Sequence, residues 1–128
     1  IYEALDLLNI HRIDHGVQSI KSPELMQRLK DEQMPLTVCP NSNIELKVFD
    51  NYDEHNIKEL LDYGLNITVN SDDPAYFKGY MNQNFINICE NLPLTEDDVV
   101  TFLVGTKELM TFPIEEVEKI VWRGSILN

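Results

Sequence analysis

At 128 residues the chain is long enough for one domain with a packed core and too short for two. Hydrophobic residues at 43% and charged residues at 25% are the proportions of a globular fold, and no apolar run reaches the ~20 residues of a membrane-spanning helix. A net charge of −12, from 22 acidic and 10 basic residues, argues against nucleic acid and against an anionic membrane, since both reward Lys and Arg.

In chain order, Ala4, Leu5 and Leu8 set a helical spacing over residues 1–9. Arg12 to Val17 reads as a short strand ending at Gly16. Ser22-Pro23 then opens a helix, with the hydroxyl as N-cap, proline at the first helical position and Leu25, Met26 and Leu29 as its buried face. Leu36 to Cys39 is a second strand, and Pro40 to Tyr52 reads as an irregular polar loop over a site. Glu54 to Tyr63 is helical, ended by Gly64, and Leu65 to Val69 is a third, β-branched strand. Asp73-Pro74 opens a mostly helical remainder. In it Thr95 and Asp98 pair as a capping box, Val99 to Met110 forms an apolar helix, and Pro113 to about Val121 forms another. Cys39 and Cys89 are too few for a disulfide framework and show no CxxC spacing. Both sit among apolar residues and are expected as buried, reduced thiols, which suits a cytoplasmic protein.

Strand, helix, strand, helix, strand predicts α/β architecture with parallel strands, each crossover being about 20 residues. An open doubly wound sheet and a (β/α)8 barrel both fit. A barrel takes about 250 residues, so on that reading residues 1–128 are a single partial domain holding less than half of the sheet. Its edges then require covering by further chain. Ile1 stands in place of an initiator Met with a helical pattern already running, and the chain is therefore expected to be part of a longer polypeptide.

Polar residues gather where each strand ends: Asp14-His15-Gly16, Cys39 to Asn43, and Asn70 to Pro74. Parallel sheets and barrels both place their sites at that rim. Asp72 and Asp73 have a plain explanation, Asp73 capping a helix that starts at Pro74 while Asp72 is solvated. Against it, adjacent carboxylates at a strand end repel unless a cation or a proton relieves them, and a turn at Pro74 lets both enter one pocket. His15 shares a strand face with Ile13 and Val17, so it is either a core histidine bonded to backbone or, with Gly16 permitting close approach, a proton carrier or a group orienting a metal-bound water. His11 and His55 lack metal-ligand spacing and are expected as surface or capping residues. With no HxH, HExxH or Cys/His cluster, the chain does not complete a tetrahedral zinc site by itself.

RIDHG at 12–16, TVCPNSN at 37–43 and VNSDDPAYF at 69–77, in that order, resemble successive motifs of the adenosine/adenine deaminase family. NSDDPAYF followed by KGY is similar to its adenine deaminase branch. The resemblance implies the C-terminal part of a zinc-dependent (β/α)8 (TIM) barrel that hydrolyses the C6 amine of a purine, adenine giving hypoxanthine and ammonia. It implies Asp72 as zinc ligand and acceptor from the attacking water, Asp73 as the purine-binding carboxylate, and His15 as the residue orienting the hydroxide. The family's HxH pair and HAGE segment are missing, so the N-terminal part of the barrel is expected on further chain and the 128 residues alone are expected to be inactive. Adenosine as substrate, and a non-catalytic α/β module whose DDP is only a cap, are the alternatives; an oligomer is compatible with the sequence.

Overall fold

The computed structural model describes residues 1–109. They form α1 (Tyr2–Leu7), β1 (Ile13–Asp14), α2 (Pro23–Asp31), β2 (Leu36–Val38), α3 (Pro40–Glu45), α4 (Ile57–Tyr63), β3 (Ile67–Val69), α5 (Met81–Asn91) and α6 (Glu96–Leu109), with 3-10 turns at Val17–Lys21 and Tyr52–Glu54. The helix expected from Pro113 lies outside the described residues. No helix among them is long and apolar enough to cross a membrane.

The three strands are parallel in the order β1-β2-β3, in register as Ile13–Leu36–Ile67 and Asp14–Thr37–Thr68. β2 and β3 are buried at every position, as expected of parallel strands covered on both faces. Leu36, Val38, Ile67 and Val69 pack with Leu29, Ile57, Leu60, Ile88 and Phe102 in one continuous core. α6 lies on β3, and Gly105 permits the approach: a Cβ there would meet Thr68 Cγ2 at 3.2 Å and the Ile67 carbonyl at 3.3 Å.

Local stop and start signals act as the sequence predicts. Leu25 N donates to Ser22 Oγ (3.3 Å) with Pro23 behind it, and Gly64 ends α4 at φ 98°. Thr95 N donates to Asp98 Oδ2 (2.7 Å), and Asp98 N donates to Thr95 Oγ1 (3.2 Å), a reciprocal cap at the start of α6.

Three expectations need correction. The segment after β2 is not a loop throughout: Pro40 to Glu45 is helical, with Asn41, Ser42 and Asn43 buried. The Asn41 amide at its N-terminus is satisfied by Asn84 Oδ1 of α5 (2.9 Å), a partner 43 residues away that no local pattern announces. β1 stops at Asp14, so His15 does not share a strand face with Ile13 and Val17. Finally, Cys39 is buried but Cys89 is exposed, because the buried stripe of α5 runs through Phe85 and Ile88 and leaves Cys89 outside it.

Candidate active site

The rim at the C-terminal ends of β1, β2 and β3 is shaped by two backbone turns. After β1, His15 (φ 62°) and Gly16 (φ 76°) both enter the left-handed region. Gly16 is required there, since a Cβ would meet Leu36 Cδ2 at 2.9 Å in addition to the positive φ. His15 N still donates to the Thr37 carbonyl at 2.9 Å, so the turn redirects the ring without detaching the backbone from the sheet. After β3, Asn70 N donates to the Val38 carbonyl (2.8 Å), and Asp72 then turns at φ 56°. A left-handed conformation costs a non-glycine residue about 1–2 kcal/mol. Both strained residues face the same cleft, the kind of place where such strain is retained.

That cleft has a volume of about 330 Å³, at the lower end of the ~300–1,000 Å³ typical of small-molecule sites. Its walls are Arg12, Asp14, His15, Thr37, Cys39, Asn70 and Asp72. Asp14 accepts from Thr37 Oγ1 (2.9 Å) and Arg12 Nε (3.1 Å). The Thr37 hydroxyl, aided by the Arg12 guanidinium and opposed by some desolvation, holds its carboxyl below the usual range. Cys39 Sγ–H donates to the Thr37 carbonyl (3.4 Å). Burial, with the Asp72 and Asp14 carboxylates nearby, pushes this thiol up to about 12.

His15 Nε2 stands 3.6 Å from Asp72 Oδ2, each side chain being about one-third exposed. Ligand atoms of His15, Cys39 and Asp72 all lie within 4.8 Å of one another. Nitrogen, sulfur and carboxylate oxygen are the donor types that zinc takes, and tetrahedral bonds of about 2.0–2.3 Å would separate such atoms by roughly 3.3–3.8 Å. The His15–Asp72 pair, at 3.6 Å, falls in that range, and the donor set fits the metal chemically as part of a site.

Asp72 and Asp73 diverge. Asp73 Oδ1 accepts from Ala75 N (3.0 Å) and Tyr76 N (3.1 Å), so this carboxylate caps the turn after β3 and does not line the cleft. His11 is exposed, as expected. His55 is not a surface residue. It is 3% exposed, its Nδ1 accepts from Ile57 N (3.2 Å), and its Nε2 lies 3.1 Å from Asn43 Oδ1. Asn43 Nδ2 in turn lies 3.3 Å from His15 Nδ1. Phe49 packs against the His55 ring at 4.5 Å between centroids, and burial pushes His55 down to about 4. Sequence pattern places Asn43 only within the Cys39 to Asn43 rim segment and His55 only as a surface or capping residue. The capping alternative holds, since His55 Nδ1 takes the first amide of α4, but the link between the two side chains is not announced. The one available signal was a second Asn in the PNSN run directly after a strand, where buried amides have no structural reason to cluster unless they bond something.

A parallel β1-β2-β3 segment with its polar groups collected at the strands' C-terminal ends is the arrangement of a portion of an α/β barrel, and comparison with known proteins agrees. The chain belongs to the adenosine deaminase family, whose model matches residues 1–121. It is 88% identical over 103 residues to an adenine deaminase of Psychrobacter cryohalolentis, covering 80% of this chain and 31% of that protein. The crystal structure of an adenine deaminase from Arthrobacter aurescens superposes with a TM-score of 0.82 at 38% identity, over 94% of this chain and 37% of that one. An amidohydrolase from Burkholderia ambifaria, solved with bound Zn, matches with a TM-score of 0.74 at 25% identity, over 95% of this chain and 34% of that one. The chain thus spans about a third of the length of the relatives it matches. The family and barrel fold expected from the three motifs are borne out.

Proposed function

We propose that this chain supplies the C-terminal side of the active site of a zinc-dependent adenine deaminase, in which adenine and water give hypoxanthine and ammonia. The observation that carries the reading is the approach of His15 Nε2 to Asp72 Oδ2 at 3.6 Å, over a cleft at the ends of three parallel strands. The names of the relatives favour adenine over adenosine.

Asp72 is the zinc ligand from this chain, the remaining ligands coming from the barrel's N-terminal part. Zinc, when bound, acidifies a water and so supplies a nucleophile near neutral pH. His15 directs its Nε2 into the cleft beside Asp72 and orients the oxygen that attacks C6. Asp72 accepts a hydrogen bond from that oxygen and fixes its direction of approach. The Asp73 backbone cap engages only Oδ1, and Oδ2 takes the N–H of the purine's imidazole edge from beyond the cleft walls that this chain forms.

The test uses the full-length protein, with ammonia release from adenine and from adenosine in parallel and zinc measured on the same sample. Adenine is the expected substrate. Asp72→Ala is expected to lower zinc content and to reduce kcat/KM by at least the ~10²–10⁴-fold that a positioned acid–base group contributes. If that variant kept both zinc and activity, the DDP would be no more than a turn cap and the catalytic reading would fail.

A further inference from the structure

His15 has two mutually exclusive uses in this cleft. A bare Nε2 could bind a metal directly, since its ligand atom sits in the same small cluster as those of Cys39 and Asp72. A protonated Nε2 could only donate a hydrogen bond. Which use applies is decided by the tautomer, and the tautomer is set at the other ring nitrogen.

The hydrogen bonds behind His15 run in one direction, and their first member is unambiguous. The Ile57 backbone N–H can only donate, and it donates to His55 Nδ1 at 3.2 Å. His55 is buried against Phe49 and is held neutral at physiological pH by that burial. A neutral imidazole with an accepting Nδ1 carries its proton on Nε2. That proton points at the side-chain amide of Asn43, 3.1 Å away, so the amide must present its oxygen there. With Oδ1 facing His55, the NH2 group of Asn43 faces His15 Nδ1 at 3.3 Å. His15 Nδ1 must therefore accept, and its proton resides on Nε2, the atom that faces Asp72 Oδ2. Flipping Asn43 would place an NH2 against the His55 N–H and an oxygen against His15, leaving two donors opposed in a buried site.

We infer that His55 and Asn43 are positioning residues that lock His15 into its Nε2–H tautomer, making it a hydrogen-bond donor in the cleft and excluding it as a metal ligand. The inference deepens the deaminase reading and rests on it for the identity of the reaction, but the tautomer itself does not. The relay also accounts for the short polar helix α3, whose buried Asn43 has no other evident use. α3 is held from the opposite side as well: Tyr52 Oη and Asn87 Nδ2 both donate to Asn41 Oδ1, at 2.8 and 2.9 Å, so the helix that carries Asn43 is braced from two directions.

The polarity of the relay makes it testable without changing its shape. Asn43→Asp is isosteric, but it presents an oxygen to His15 where the wild type presents an NH2. In the full-length protein, ring-nitrogen NMR of His15 is expected to show an unprotonated Nδ1 in the wild type and a protonated Nδ1 in Asn43→Asp. kcat is expected to fall about 10–100-fold, the usual cost of losing a group that orients a site residue, with KM changed much less. His55→Gln retains a donor for Asn43 and an acceptor for Ile57 N–H, and is expected to keep kcat close to wild type. His55→Phe keeps the ring volume without the donor and is expected to lose activity as Asn43→Asp does. A protonated Nδ1 in the wild type would overturn the inference, whether or not any variant folds. So would wild-type kcat in both Asn43→Asp and His55→Phe. Should the wild type release no ammonia from any purine, the deaminase reading would fail while the NMR result still decided the relay.

Discussion

The burial of His55 makes the fold sensitive to mild acid in a way that can be assigned to one side chain. In the unfolded chain the imidazole titrates at its ordinary 6.5, whereas in the folded protein burial holds it down to about 4. Between those values the unfolded state binds a proton that the folded state refuses, so stability rises with pH across the window and falls as the pH is lowered through it. The contribution is intact above pH 6.5 and is lost progressively towards pH 4, at about 1.4 kcal/mol per pH unit, or about 3 kcal/mol in all. The structural cause is concrete. Protonated at both nitrogens, His55 would turn its accepting Nδ1 into a donor against the Ile57 N–H while adding a charge beside Phe49.

Urea unfolding of the full-length wild type and of His55→Gln over this pH range isolates the effect, because all other titrating groups are common to both proteins. The wild type should lose about 3 kcal/mol more than the variant between pH 6.5 and pH 4. Parallel stability curves for the two proteins would refute the assignment and with it the claim that the folded state holds His55 neutral.

Two further outcomes follow from the same fold. Gly16→Ala should cost more than Gly64→Ala. Both carry the left-handed penalty of about 1–2 kcal/mol, but a Cβ at 16 meets Leu36 Cδ2 at 2.9 Å in the core, whereas one at 64 meets the flexible Lys30 Cε at 3.1 Å. Equal urea midpoints for the two variants would show that the contact with Leu36 is relieved without cost. Thiol-reactive reagents at neutral pH, followed by peptide mass spectrometry, should modify the exposed Cys89 before the buried Cys39, whose thiol is pushed up to about 12; the reverse order would contradict the Cys39 environment.

What the sequence disclosed and what it withheld divide along the range of the interactions. The Ser22 cap, the Gly64 stop and the Thr95–Asp98 pair involve residues within a few positions of one another, and all three form as their spacing predicts. The three strands were legible because buried parallel strands are continuous apolar runs. By contrast, α3 depends on Asn84 of α5, and the burial of His55 depends on Phe49 and Asn43. Asn and Ser are weak helix formers that favour turns, so PNSN reads locally as a loop until the distant partner is known. Asp72 and His15 were identifiable as rim residues by their strand-end positions, but their shared left-handed backbone was not. Asp and His are enriched among non-glycine residues at positive φ, yet only a few per cent of non-glycine residues adopt it, so residue type alone does not mark the position.

The division also bears on how the site is held. Thr37 sits at the centre of the only polar layer in the sheet's register, between Asp14 and Thr68 among the described residues. Its carbonyl accepts from His15 N and from the Cys39 thiol, and its hydroxyl donates to Asp14. Thr68 extends the layer by accepting from Asn70 Nδ2 (2.8 Å), two residues before Asp72. His15 is therefore fastened by its own backbone N–H to the ladder of a fully buried strand, and Asp72 follows two residues after Asn70, the last residue so fastened. Asp73, proposed to bind the substrate, is instead fastened to the turn that follows, through backbone amides of its own segment. A ladder bond at His15 and another two residues before Asp72 suit groups proposed to hold a fixed separation.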